Sequence, residues 1–419
     1  MRLHVLLDAY QCAPGGGSVS QIGFEWLVRL SKRARVTLLT HVRNETALAG
    51  IELEPDTRIE TIDTEWFAGP LHRLATRIFP SSEHAVFALS SLDFFVYDAV
   101  CLRRARRLVR NGERFDVVHV VTPVSPSALT RMHRLGPPLV RGPLNGGLSD
   151  PTGFEDLART EGSFASRLRV GPRLVDSWLG ASRHAALTLV ATGATRAVLP
   201  PSERARARTM LENGVDLERF RSTPWPAPPS ATEPLRVVFV GRLVSVKALP
   251  LLLDAVVLSG VNAVVRVVGE GPMRASWQAH AETLGLGPRI AFVGALPLDA
   301  VAKEIAEAHV LCLPSIRESG GSVILEAFAS ARPALVADSG GPGELVDDEV
   351  GRAVAAPSPD ALRAGLAAAL LDIVRAPQAW EARGRAARRR AEERFDWEKK
   401  IDEALGFYER LAAEKRWPT

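Results

Sequence analysis

The chain has 419 residues, of which 46% are hydrophobic and 24% charged, and its mean hydropathy is +0.03; this is the profile of a soluble globular protein with two or three domains. A net charge of +4 argues against a nucleic-acid partner. The arginine clusters at 103–110 and 383–390 recur at helical spacing beside Ala, Leu and Val, as solvated helix faces do.

In chain order, "MRLHVLLDAY" meets Asp8 after a short apolar run, so no secretory leader is expected. The apolar stretch 85–104 contains Asp93 and Asp98, which excludes a membrane span and predicts a soluble helix or lid. Cys12, Cys101 and Cys312 lie too far apart for a disulfide framework or a zinc pattern, and a reducing cytoplasm is the expected home.

Short β-branched runs alternate with longer amphipathic stretches, which calls for parallel strands covered by helices. Predicted strands of the first half are 3–9, 35–42, 58–62, 116–121, 138–142 and 187–192. "STPWPAPPSATEP" (222–234) is too poor in periodic hydrophobics to form an element and reads as a linker. Strands then resume at 235–241, 263–269, 289–294, 309–315 and 333–338, each followed by a helical pattern. The tail 395–417 carries Trp397, Ile401, Leu405, Tyr408 and Leu411 at helical spacing and needs a surface to cover. The expected organisation is an α/β chain with a first Rossmann-like domain over 1–222, a linker over 223–234, a second domain over 235–395 and a terminal helix over 396–419.

The chemistry concentrates in "PSIRESGGSVILEAFASARP" (314–333). Gly320 and Gly321 occupy the loop at the carboxyl edge of a parallel strand, where open α/β sheets bind ligands. With Ser322 as the predicted N-cap, the free amides of the first turn, including those of Ser322 and Val323, form an anion site that the glycines let a diphosphate approach. Glu326, one turn into the helix, is placed to accept ribose hydroxyls. Glu318 and Ser319, before the glycines, face whatever lies beyond the phosphates. By spacing alone, both glutamates equally suit a surface turn. "FVGRLVSVKALPLLLDA" (239–255) tilts the balance, because it puts Gly241, Arg242 and Lys247 beyond another strand end, and Lys247 at a helix start asks for an anion. The loop "VGEGPMR" (268–274), with Gly269, supplies backbone suited to a nucleobase at the same edge.

These loops, in this order, together with "FVGALP" (292–297) and "FDWEKKID" (395–402), make residues 235–400 resemble glycosyltransferase family 4, a retaining family with the GT-B fold of two facing Rossmann-like domains. The resemblance implies a nucleotide-sugar donor, UDP- or GDP-linked, with Arg242 and Lys247 on its diphosphate, Glu318 on its sugar and Glu326 on its ribose. It implies a cleft between the domains, closing about 222–234, and a terminal helix that crosses back to the first domain. No Asp-x-Asp motif appears, so no metal and no cofactor is expected; Arg242, Lys247 and helix-terminal amides carry the leaving-group charge.

The first half resembles one branch of that family through "CAPGGGSVSQIGFEW" (12–26), "FDVVHVVTP" (115–123) and "GPLNGGLSDP" (142–151). Gly16 and Gly17 would face the phosphates, and His119 and Asn145 are the acceptor candidates. Two departures stand out. Val19 follows Ser18 where many relatives have an acid, and a histidine often found near the reacting sugar would fall at Val121. A lone strand histidine such as His119 is more often a satisfied core group. The acceptor is expected to be a cell-envelope lipid or polysaccharide or a small natural product, and the aromatics Trp66, Phe67, Phe79, Phe94 and Phe95 suit either a greasy acceptor or a core. Localisation in the cytoplasm, with peripheral contact at the inner face of a membrane, is expected, and abundant Arg and Ala hint at a GC-rich bacterial genome. Alternatives are a nucleotide-sugar epimerase of the same fold, which would act without an acceptor, and a non-catalytic nucleotide-sugar binder. A Rossmann dehydrogenase is disfavoured by the long first βα turn.

Overall fold

The computed structural model describes residues 2–15, 18–79, 92–147, 153–154, 181–230 and 232–414. The chain forms two compact units. One comprises Met1–Gly147, Gly162–Glu212 and Trp397–Thr419, and the other Leu148–Glu161 and Asn213–Asp396.

The first unit is built on β1 (His4–Ala9), β2 (Arg35–His41), β3 (Arg58–Ile62), β4 (Val117–Thr122), β5 (Leu139–Leu144), β6 (Leu187–Val190) and β7 (Ala207–Thr209), all parallel and ordered β3-β2-β1-β4-β5-β6-β7. β1 and β4 are buried along their whole length because helices cover both faces of the sheet, which is why they read as continuous apolar runs. One face holds Trp26, Leu27 and Leu30 of the helix Ser18–Ser31 together with Trp397, Ile401, Ala404 and Tyr408 of the helix Trp397–Glu414. The other holds Phe94, Tyr97, Cys101 and Leu102 of the helix Asp93–Arg110.

The terminal helix therefore belongs to the first unit. Burial of its large side chains contributes roughly 1.5–3 kcal/mol each, and Arg33 adds ion pairs to Glu398 at 2.5 Å and Asp402 at 2.8 Å. Leu405 and Leu411, expected on the buried stripe, are only partly covered, and Ala404 sits inside it.

Within the stretch 85–104, residues 85–91 lie outside the described residues, and the remainder lies in the 93–110 helix. Asp93 and Asp98 are buried but satisfied: Tyr10 donates its hydroxyl to Asp93 at 2.6 Å, and Thr130 donates to Asp98 at 2.6 Å. Among the described residues no helix is long and apolar enough to cross a membrane.

The second unit contains β8 (Leu235–Val240), β9 (Ala263–Val268), β10 (Ile290–Gly294), β11 (Val310–Leu313), β12 (Ala334–Ala337) and β13 (Gly351–Val354), parallel and ordered β10-β9-β8-β11-β12-β13. This is the doubly wound order, with its switch point between β8 and β11. β7 and β13 were not anticipated. Each is a short edge strand paired on one side only, and β7 buries one residue of three.

The proline-rich segment lies within the second unit, and the chain passes between units at Gly147/Leu148, Glu161/Gly162, Glu212/Asn213 and Asp396/Trp397. Arg332, fully buried, donates to the carbonyls of Thr223 at 3.1 Å and Pro224 at 2.9 Å and to the Thr223 hydroxyl at 2.7 Å. Trp225 donates its indole N–H to the His309 carbonyl at 3.0 Å. Absence of periodicity signalled a loop correctly but said nothing about these tethers.

Candidate functional site

The loops that follow β8, β9 and β11 meet at the carboxyl edge of the second unit's sheet. Glycines make the approach possible. A Cβ on Gly269, which has φ +133, would stand 2.0 Å from the Gly241 carbonyl oxygen, and a Cβ on Gly271 would stand 2.3 Å from that of Leu243. The Gly241 amide donates to Val268 at 2.9 Å, that of Leu243 to Glu270 at 2.9 Å, and that of Met273 to Leu243 at 3.0 Å. These bonds lace the 241–247 and 269–274 loops into one edge.

Lys247 closes a 3-10 turn, Ser245–Lys247. Ala248 follows with φ 49, and the helix Leu249–Ser259 begins after it. The left-handed Ala248 is a backbone feature that no residue type announced. Ile316 donates its amide to the Val246 carbonyl at 2.9 Å, so the loop after β11 is stitched to this turn. Lys247 Nζ is ion-paired to the Glu318 carboxylate, and each side chain is 17% exposed. The Lys247 stem passes Gly241, where a Cβ would lie in ordinary contact at 3.8 Å from Lys247 Cε. Arg242 is exposed in the same loop.

Gly321 takes a left-handed conformation with φ 57 and is itself the N-cap of the helix Ser322–Ala329. Ser322, expected as the cap, is instead the first helical residue, and the cap makes no side-chain hydrogen bond. The first-turn amides of Ser322 and Val323 consequently have no intrahelical partner. Gly320 and Gly321 are buried, while Ser319 is half-buried and its carbonyl lies under Gly341, where a Cβ would approach to 2.1 Å. The Gly341 amide donates to the Glu318 carbonyl at 3.0 Å. This bond holds Glu318 from behind.

Glu326 is half-buried on the same helix, and its carboxylate makes no hydrogen bond among the described residues. Desolvation raises its carboxyl from 4.5 to about 7, against a lowering influence of Arg219. Arg219 is paired with Asp299 at 2.9 Å; no motif had pointed to it. A half-buried acid without a donor, beside a helix N-terminus, is suited to ligand hydroxyls.

The first-unit candidates are arranged differently. Gly16 and Gly17 lie outside the described residues. His119 is 0% exposed. Its Nε2 donates to the Gly142 carbonyl at 2.6 Å, which leaves Nδ1 to accept from the Tyr408 hydroxyl at 2.6 Å. Burial lowers its pKa to about 4, so the ring stays neutral; as arranged, neither nitrogen is available to a substrate. His119 fastens the terminal helix to β4. Asn145 is 8% exposed, donates from its side chain to the Glu212 carboxylate, and donates its backbone N–H to the Val124 carbonyl at 2.6 Å.

The family model for glycosyl transferases group 1 matches residues 225–387. The second-unit site residues expected from the sequence fall within that match, and Arg219 lies before it. Among similar curated proteins, glycogen synthase of Mycobacterium tuberculosis is 32% identical over 200 residues, 45% of each chain. The 2-deoxystreptamine glucosyltransferase of Streptomyces kanamyceticus is 31% identical over 185 residues, 42% of this chain and 46% of its own. The chain spans less than half the length of the curated relatives it matches. Among solved structures, the Anabaena protein HepE in complex with UDP superposes with a TM-score of 0.63 at 17% identity, covering 97% of this chain and 100% of its own. Sucrose-phosphate synthase from Thermosynechococcus elongatus does so with a TM-score of 0.65 at 18% identity, covering 99% and 100%. The chain has the α/β fold of the GT-B glycosyltransferases, with two Rossmann-like parallel-sheet units.

Proposed function

We propose that the protein is a retaining, metal-independent glycosyltransferase that moves a sugar from a nucleotide-diphosphate sugar to an acceptor hydroxyl. The observation that carries this reading is the convergence, at one sheet edge, of Lys247, Glu318 and the open helix N-terminus behind Gly320–Gly321. The diphosphate is assigned to the first-turn amides with Lys247 and Arg242, the ribose to Glu326 and the transferred sugar to Glu318. As the anomeric C–O bond breaks, charge accumulates on the departing phosphate, and the cations and amides stabilise it where it forms. The acceptor oxygen bonds to the anomeric carbon on the face that the phosphate leaves and passes its proton to that phosphate, so the anomeric configuration is preserved.

The matched relatives act on widely different acceptors by name, and the reading leaves the acceptor as a cell-envelope glycolipid, a polysaccharide or a small natural product, used in the cytoplasm or at the inner face of a membrane. The test is to incubate the protein with UDP- and GDP-sugars, with and without an acceptor panel, in the presence of EDTA. Acceptor-dependent release of nucleoside diphosphate, with an α-linked product from an α-linked donor, supports the proposal. Conversion of the nucleotide sugar alone would make the protein an isomerase, and binding without turnover would make it a sensor.

A further inference from the structure

The helix Glu65–Ile78 is built the wrong way round for a helix that serves only a water-soluble core. Its buried positions are Ala68 and Ala75, on the side that packs against the 93–110 helix. Of its large apolar residues Phe67 and Leu71 are half-buried, but Trp66 is 67% exposed, Leu74 51% and Ile78 53%, and with exposed Pro70 these three recur at every fourth position as one slowly drifting stripe. Arg73 and Arg77 are exposed along the Trp66 edge of the stripe and make no ion pair among the described residues. The helix's one acid, Glu65, is neutralised by Arg43.

We propose that this face docks on an anionic lipid surface. An apolar stripe containing Trp, Leu and Ile, edged by arginines whose guanidinium groups can reach lipid phosphates, is the arrangement of a helix lying in the interfacial plane. A second copy of the chain is the poorer occupant, because a twofold contact would set the stripe against itself and bring arginine to arginine. The neighbouring helix adds exposed Arg103 and Arg107, the same sign of charge. Docking stands whether or not the second unit takes a nucleotide sugar.

The test is flotation of the full chain with vesicles of phosphatidylglycerol mixed with phosphatidylcholine, against vesicles of phosphatidylcholine alone. The wild type is expected to float with the anionic vesicles only. Leu74→Ser/Ile78→Ser is expected to abolish flotation. Arg73→Ser/Arg77→Ser should weaken partitioning about fivefold per arginine, the scale for one basic residue at an anionic surface. All four positions are exposed, so melting curves should be unchanged and any loss of binding read as loss of docking. Wild-type protein that stays unbound with both vesicle types, or an apolar variant that floats like wild type, overturns the proposal. So does a wild-type dimer that Leu74→Ser/Ile78→Ser splits, which would make the stripe an interface between copies.

Discussion

Lys247 and Glu318, drawn from loops after two different strands, form an ion pair beside the open N-terminus of the 322–329 helix. The pair balances one charge with another at the spot assigned to a diphosphate and its sugar. An incoming nucleotide sugar would supply a second partner to each side chain.

Replacing Lys247 or Arg242 with Ala is expected to lower kcat/KM by roughly 10²–10³-fold, the scale for one lost transition-state donor. Glu318→Gln should instead tighten nucleoside diphosphate binding by up to about fivefold, as Lys247 is freed of its screened partner, while sugar transfer falls. Calorimetric titration with UDP and GDP, paired with steady-state kinetics, separates the two effects. Unchanged turnover in both Lys247→Ala and Arg242→Ala would remove these residues from the reaction.

Glu326 makes stability depend on pH. Its folded value, about 7, lies above its ordinary 4.5, so between these values the folded chain holds a proton that the unfolded chain has released. Its contribution to stability therefore falls as pH rises from 4.5 to about 7 and is constant above that. Glu326→Gln should flatten this slope in urea unfolding measured across the window. The same variant should weaken nucleotide binding, and an unaltered affinity would take the ribose away from Glu326.

Tyr408→Phe removes the hydroxyl that reaches His119 at 2.6 Å. Leaving a buried acceptor unpaired costs about 1–3 kcal/mol, to be read as a lower urea midpoint at constant m-value. Donor affinity should not change. A loss of turnover without any loss of stability would return His119 to the chemistry.

Arg332→Met takes the donors from the carbonyls of Thr223 and Pro224. The 222–234 segment should then be cleaved faster by a nonspecific protease than in the wild type, because opening it no longer breaks those bonds. Mass spectrometry of the fragments locates the cut, and equal cleavage rates would show that the tether contributes nothing.

Much of the fold was legible because strand and helix periods are local. The apolar runs at β1, β4, β8 and β11 need no partner to be recognised. The loops proposed to hold the donor could be picked out too, since Gly-Gly before a helical pattern and a cation past a strand end are short-range signals. The missed strands β7 and β13 are three and four residues long and are not buried throughout as β11 is, so neither presents a continuous apolar run. The N-cap was placed one residue late because Gly321 caps by conformation and not by a side-chain oxygen.

Composition and spacing alone determined two rounds of βα rhythm, an anion-ready turn at 318–323 and an amphipathic tail. Tertiary structure decided what those residues touch. Lys247 and Glu318 are 71 positions apart, and His119 and Tyr408 are 289 apart. Only the folded chain could show that the first pair meets at the carboxyl edge of a sheet and the second in a sealed core, because burial and pairing are set by which distant segments meet, and no local period encodes that meeting.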